Sequence, residues 1–228
     1  MRALLAVVLP AFALATLAPR SATAAPNVDR RGFQFEGQFG VAACIPGKAD
    51  CKKADSVGDA LIGKTGPSFG MGFTVGFRPI KQFLIGGAYN LGLFNPDYRN
   101  VGGFDVYKSA YQNSVFGVLR AILPIWRLDL GLELAPGWSR QAFTIREGYV
   151  GGLTKEYSQG FALKLGPVVD IYITKHVFVG AKLDFIFNFH RQICHEFSNG
   201  SKSCEPKSDK NQASVHQMIA GFHVGATF

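Results

Sequence analysis

Residues 127–134 read Arg127-Leu128-Asp129-Leu130-Gly131-Leu132-Glu133-Leu134, the sharpest alternation in the chain. Successive side chains of an extended strand point to opposite faces, so Leu128, Leu130, Leu132 and Leu134 share one side. Arg127, Asp129, Gly131 and Glu133 share the other. A helix would scatter both sets around its axis. The segment therefore reads as a strand between two media, one apolar and one polar.

The same period recurs on both sides of it. Upstream, Phe33, Phe35, Gly37, Phe39 and Val41 oppose Gln34, Glu36 and Gln38. Phe69, Met71, Phe73, Val75 and Phe77 oppose Gly70, Gly72, Thr74 and Gly76, and Phe83, Ile85, Tyr89, Leu91 and Leu93 oppose Gly86, Ala88, Asn90 and Gly92. The stretch from Tyr111 to Leu123 is less regular, because Phe116 and Val118 share a face with Arg120. Downstream, Phe161, Leu163, Leu165, Val169 and Ile171 oppose Lys164, Gly166 and Asp170. Val177 to Phe189 alternates against Gly180, Lys182, Asp184 and Asn188, and Met218, Ala220, Phe222, Val224, Ala226 and Phe228 share the last apolar face. This gives eight strands, each near the roughly 9–11 residues with which a tilted strand crosses a bilayer.

Short connections alternate with long ones. Arg78-Pro79-Ile80-Lys81, Pro124-Ile125 and Thr174-Lys175-His176 are short; residues 45–66, 95–108, 139–157 and 190–213 are long. The pattern predicts an all-β, eight-stranded antiparallel up-and-down transmembrane β-barrel, with periplasmic turns and extracellular loops. A lipocalin-like soluble barrel has the same strand count, but it turns its apolar face inward. Here the apolar face carries much of a set of 20 Phe, which would overfill a narrow lumen, while the other face is rich in glycine. The volumes fit the inverted arrangement, and closure removes the unpaired edge that lipid would not tolerate. Phe77, Phe83 and Trp126 near the short turns, and Phe94, Tyr111, Trp138 and Tyr157 toward the long loops, are expected to form two interfacial girdles.

The beginning of the chain indicates the compartment. Met1-Arg2, an uncharged apolar run from Ala3 to Leu17, and Ala22-Thr23-Ala24 have the layout of a signal peptide over residues 1–24, leaving 25–228 as one barrel domain. Removing Arg2 and Arg20 lowers the 24 Lys and Arg to 22 against 16 acids, a mature charge of +6. No run of basic residues accompanies this charge, so nucleic acid is not an expected partner. Cys44 and Cys51 are close in sequence, as are Cys194 and Cys204, and two local disulfides are the simplest connectivity in an oxidising compartment. Asn199-Gly200 reads as a two-residue hairpin turn between the second pair. Strict register from that turn would place Cys194 opposite Glu205, so the bridge requires a bulge or a longer loop.

Three groups of side chains are candidates for chemistry. Asp129, Glu133, Asp170 and Asp184 face Arg120, Arg127, Lys164 and Lys182 across the lumen, with Glu36 and His223 completing a charge network. A paired polar plug is the favoured reading, since eight strands leave just enough room for side chains. Ser214 and His216 lie two apart on the outward face of the last strand. Some lipid A-deacylating barrels carry a His base and a Ser nucleophile in this way, but here the order is reversed and no acid partner is identifiable. His190, His195 and Glu196, with His216 nearby, do not have a recognised ligand spacing, so no metal, cofactor or catalytic residue is expected. Lys52-Lys53 and Lys202 are positioned to meet anionic lipopolysaccharide or a surface partner.

The leader, the eight amphipathic strands, the loop alternation and a terminal Phe228 preceded by Ala226, Val224 and Phe222 resemble the OmpA/OmpX-like outer-membrane β-barrel family. The resemblance covers the whole mature chain. It implies residence in the outer membrane of a Gram-negative-type bacterium, porin-like architecture, and recognition of Phe222, Val224 and Phe228 as a signal by the barrel assembly machinery. It brings no catalytic motif. The expected function is that of a non-enzymatic integral barrel with an envelope-structural or surface-interaction role through long loops. A narrow channel for small solutes is the alternative, followed by a lipid A-modifying enzyme.

Overall fold

The computed structural model describes residues 30–45, 62–99, 103–147, 152–206 and 216–228. The segment 1–24 expected to be a signal peptide, Cys51, Lys52-Lys53 and Ser214 lie outside them. Every regular element among the described residues is a strand: β1 (Gly32–Cys44), β2 (Ile62–Gly66), β3 (Ser68–Ile80), β4 (Phe83–Arg99), β5 (Tyr107–Ile125), β6 (Leu128–Ile145), β7 (Leu153–Tyr172), β8 (Val177–Phe197), β9 (Lys202–Pro206) and β10 (Gln217–Thr227). Eight of them form a closed antiparallel ring in the order β1, β3, β4, β5, β6, β7, β8 and β10. The seam pairs Phe39 with Phe222 and Gly37 with Val224, and β10 returns to β8 by pairing Phe222 with Ala181. This is the transmembrane up-and-down barrel. The two short strands β2 and β9 stand outside the ring on β4 and β8.

The facing follows the alternation. Phe33, Phe73, Leu132, Phe161, Phe222 and their row-mates are exposed, while Glu36, Arg120, Glu133, Lys164 and Asp184 are buried. The strand with the irregular pattern, β5, places Phe116, Val118 and Arg120 together inside the lumen. There Phe116 and Val118 pack with Leu84, Ile186 and Ile219 in an apolar layer. From Leu128 to Trp138 on β6 the chain runs about 33 Å at roughly 3.3 Å per residue. A tilt of about 40° reduces this to about 25 Å, the height of the apolar band of an outer-membrane barrel.

Strands continue where the sequence pattern predicts loops. β4 runs on to Arg99, β5 starts at Tyr107, β6 ends at Ile145, β7 begins at Leu153 and β8 reaches Phe197. Beyond the band the outer face no longer meets lipid, so its apolar signal disappears while the backbone ladder continues. Inside, Phe94, Tyr98, Tyr107, Phe143 and Ile145 pack as an apolar cluster, like the core of a soluble barrel. Phe94 is thus inward and not a girdle residue, and Tyr157, on the outer face, is covered.

The turn between β5 and β6 is two residues long, with Ile125 paired to Leu128. Such a turn requires positive φ at its first central position, and Trp126 supplies it at φ 53°. A non-glycine residue there costs about 1–3 kcal/mol. The Arg30 guanidinium bonds the Trp126 carbonyl, and Arg127 lies 5.5 Å over the indole ring, fixing the turn from two sides.

Candidate functional site

Three layers of polar side chains fill the lumen. Nearest the short turns, Arg30 Nε and Arg78 Nη1 approach the two oxygens of Asp129 at 2.9 and 2.8 Å. Arg78 also donates to the Tyr172 hydroxyl at 3.0 Å. Sequence reasoning misses Arg30 and Arg78 because one precedes the first strand and the other falls in a segment that reads as a turn. It includes Arg127, which instead sits at the turn against Trp126. The signal available for Arg78 is register, since it continues the inward set Gly70, Gly72, Thr74 and Gly76.

The middle layer is the densest. Arg120 makes a forked contact with Glu36, Nη1 to Oε1 at 2.5 Å and Nη2 to Oε2 at 2.8 Å, and reaches Glu133 Oε2 at 2.7 Å. Glu133 also accepts from Lys164 at 2.7 Å and from Lys182 at 2.9 Å. Asp184 lies 4.0 and 3.7 Å from the same two ammonium groups. His223 Nε2 is 2.5 Å from Asp170 Oδ1. Arg120, Glu133, Lys164 and Asp184 are fully buried. Counting both layers, Arg30, Arg78, Arg120, Lys164 and Lys182 balance Glu36, Asp129, Glu133, Asp170 and Asp184. Buried charge of one sign would be costly, and the two sets cancel.

The third layer, toward the long connections, is neutral. Gln112 and Asn188 exchange amide hydrogen bonds of 3.2 and 2.9 Å. The Ser139 hydroxyl lies 2.7 Å from both Asn188 Oδ1 and His190 Nε2, and Ser158 meets His190 Nδ1 at 2.8 Å. His190 is therefore a lumenal residue with both ring nitrogens engaged. His195 and Glu196 continue β8 beyond a bulge.

On the outside, His216 rests against Phe187 and Phe189, with ring centroids 5.6 and 6.4 Å away. Its Nδ1 accepts the Asn188 backbone N–H at 3.1 Å, so the neutral ring carries its proton on Nε2. Phe222, Val224 and Phe228 project outward, and the Phe228 backbone pairs with that of Phe33 at 2.8 and 2.9 Å.

Cys194 and Cys204 are disulfide-bonded and directly opposite in register. Asn199-Gly200 does not form the two-residue turn that the sequence suggests. Gly200 N–H bonds the Phe197 carbonyl, Phe197 N–H bonds the Ser201 carbonyl, and Gly200 has φ +80°. This is a three-residue loop with a glycine bulge, which shifts the register by the one residue the bridge requires. Cys44 is buried at the end of β1, and its proposed partner Cys51 lies outside the described residues.

No protein family and no curated protein matches the chain. Solved structures do. Neisserial surface protein A aligns at a TM-score of 0.52 with 14% identity, covering 86% of this chain and 97% of that one. The outer membrane protein OprG of Pseudomonas aeruginosa gives 0.51 and 11% identity over 86% and 97%. A major outer membrane protein of Thermus thermophilus gives 0.54 and 11% identity over 86% and 99%. At these identities the likeness is one of fold: the chain has the architecture of outer-membrane β-barrels.

Proposed function

We propose that the chain is a non-enzymatic integral protein of the outer membrane, with a closed lumen, acting in envelope structure or surface interaction through the strands and connections above the lipid band. The observation that carries this reading is the balanced ion network. Arg120, Glu133 and Lys164 are without solvent exposure; Arg120 reaches across the lumen to Glu36 on β1, and Glu133 ties it to Lys164 and Lys182 on the neighbouring strands β7 and β8. An ion crossing the barrel would have to displace these pairs, each bound about as closely as hydrogen bonds allow. The β8–β9 hairpin, held by Cys194–Cys204, gives the outer end a rigid element for a partner to meet. Phe222, Val224 and Phe228 serve as the signal for the barrel assembly machinery. An enzymatic role for His216 is disfavoured, because the nitrogen not bonded to Asn188 carries the proton and has no lone pair with which to activate a hydroxyl.

Two measurements test the proposal. Membrane fractionation with heated and unheated electrophoresis should give a mobility shift confined to the outer membrane; recovery from the soluble periplasm without a shift would refute the localisation. The purified barrel should remain silent in planar bilayers, and reproducible unitary steps would refute the closed lumen.

A further inference from the structure

We infer that the outer face of β6–β8 binds the phosphate of an outer-leaflet glycolipid through Arg140 and Arg191, a site that rests on the outer-membrane reading above. One row of the ladder sets its height. Tyr89, Val115, Trp138, Phe161 and Phe189 are consecutive cross-strand partners on β4 to β8, and all five are exposed on the outer face. The next outward row reads Leu91, Asn113, Arg140, Gln159 and Gln192, two residues farther along β4 to β7 and three along the bulged β8. On β5 to β8 the outer surface thus passes from apolar, largely aromatic, to polar in one repeat, at the height where an acyl region gives way to headgroups.

Both arginines are placed in distinctive ways. The Arg140 guanidinium lies 3.7 Å over the Tyr157 ring. A stacked guanidinium is held by its face and keeps its N–H edges in the plane. Its Nε is shielded from solvent and has no hydrogen-bond partner among the described residues. Arg191 is the extra residue of the β8 bulge, where Gln159 pairs with Gln192 and Gly160 with His190. The bulge turns Arg191 outward over an open notch of about 510 Å³ lined by Gly160, Phe161 and Phe189. A Cβ on Gly160 would come within 2.9 Å of His190 Cα, so glycine allows the close approach that forms the bulge.

No residue of this polar row is acidic, and the Gln159 and Gln192 amides bond each other at 2.8 Å beside the arginines. Two arginines match the oxygens of a phosphate. The flanking amides suit the hydroxyl and amide groups of a sugar, and the notch that Phe161 and Phe189 line suits an acyl chain. This combination favours a phosphorylated glycolipid over a glycerophospholipid.

The test is titration of the full mature chain in detergent micelles, followed by native mass spectrometry, with lipid A, dephosphorylated lipid A and phosphatidylglycerol. Lipid A should bind, and removal of its phosphates should weaken binding by roughly tenfold or more, the scale of one charge-assisted contact. The double variant Arg140→Gln/Arg191→Gln should lose binding to a similar extent while keeping its heat-dependent gel shift; if it fails to fold, the single exposed-site variant Arg191→Gln gives the readout. Lys175→Gln, an exposed cation in the short turn between β7 and β8 at the opposite end of the barrel, should bind as the parent does. Equal binding of dephosphorylated lipid A, of phosphatidylglycerol, or by the arginine variants would each overturn the site. None of these results depends on where the protein is found in the cell, so failure of the site and failure of the outer-membrane reading are separable.

Discussion

Glu133→Gln removes the charge on which the middle lumen layer converges. The carboxylate is fully buried and takes Arg120 at 2.7 Å, Lys164 at 2.7 Å and Lys182 at 2.9 Å. Glutamine preserves the shape, but its amide N–H₂ faces an ammonium group where a carboxylate oxygen had accepted. The substitution also leaves the lumen with one uncompensated positive charge. Breaking a buried ion pair by removing one partner costs about 3–5 kcal/mol. For a protein of this size, with a urea dependence of about 3 kcal/mol per molar, that lowers the unfolding midpoint by about 1–2 M. The assay is urea unfolding in phospholipid vesicles, followed by the fluorescence of Trp126 and Trp138. Asp105→Asn is the control, since its contacts to Arg99 at 3.4 Å and Arg146 at 3.5 Å are solvent-exposed. Exposed pairs are worth at most about 1 kcal/mol each, so the control, which loses two, should shift the midpoint by less than about 0.7 M at the same urea dependence. A Glu133→Gln midpoint no lower than that of the control would refute the view that pairing in the lumen supports the barrel.

Replacing both Cys194 and Cys204 with serine should loosen the β8–β9 hairpin, since a loop closed over ten residues loses about 3 kcal/mol of constraint. Trypsin should then cut at Lys202 faster while the urea midpoint of the barrel is unchanged; equal cleavage rates would refute the staple. Gly221→Val should abolish the heat-shifted folded form, because a Cβ there would lie 2.2 Å from the Phe39 carbonyl at the closing seam. Gly117→Ala, whose nearest contact would be 3.9 Å, should retain it, and the reverse order on the gel would refute the packing argument. Phe228→Ala should lower the amount of folded protein in the outer membrane several-fold. Its vesicle midpoint should barely move, as the ring is 71% exposed; a large midpoint shift with normal assembly would reverse the assignment.

The legible part of the fold is the part that spans lipid. There one face must be apolar and the other polar, so Leu128 to Leu134 reveals both strand and facing. Phe116 and Val118 obscure β5 because the lumen also has an apolar layer, formed with Leu84, Ile186 and Ile219. The upper end of β6 reads as a loop because the contrast between faces fails there: Ser139 and Gln141 inside and Arg140 outside are all polar, and the apolar Phe143 and Ile145 that follow lie on the inner face. Most of the ion network is legible from facing alone. Arg30 is not, since it precedes β1, and Arg78 is hidden only because Arg78-Pro79-Ile80-Lys81 reads as a turn although its position continues the inward row of β3; both side chains reach Asp129. The register of Cys194 with Cys204 depends on the positive φ of Gly200, and Asn-Gly occurs in loops of more than one length.

One set of strands serves two solvents by exchanging the roles of its faces. Along β6, Leu130, Leu132, Leu134 and Trp138 face outward while Asp129 and Glu133 face inward. Farther on, Arg140 is outward while Phe143 and Ile145 join Tyr98 and Tyr107 inside. Period-two geometry permits this exchange without a break in the ladder, because each face is an independent series of side chains. The lipid-spanning part needs an interior that is polar and electrically balanced; the part above it has water outside and an apolar interior. The aromatic rings of Tyr98, Tyr107 and Phe143, with centroids 5.3–5.7 Å apart, make the upper strands a packed body in their own right. That arrangement favours a protein whose outer end presents a shaped surface, since a pore would require open space along the inner face that the rings and ion pairs occupy.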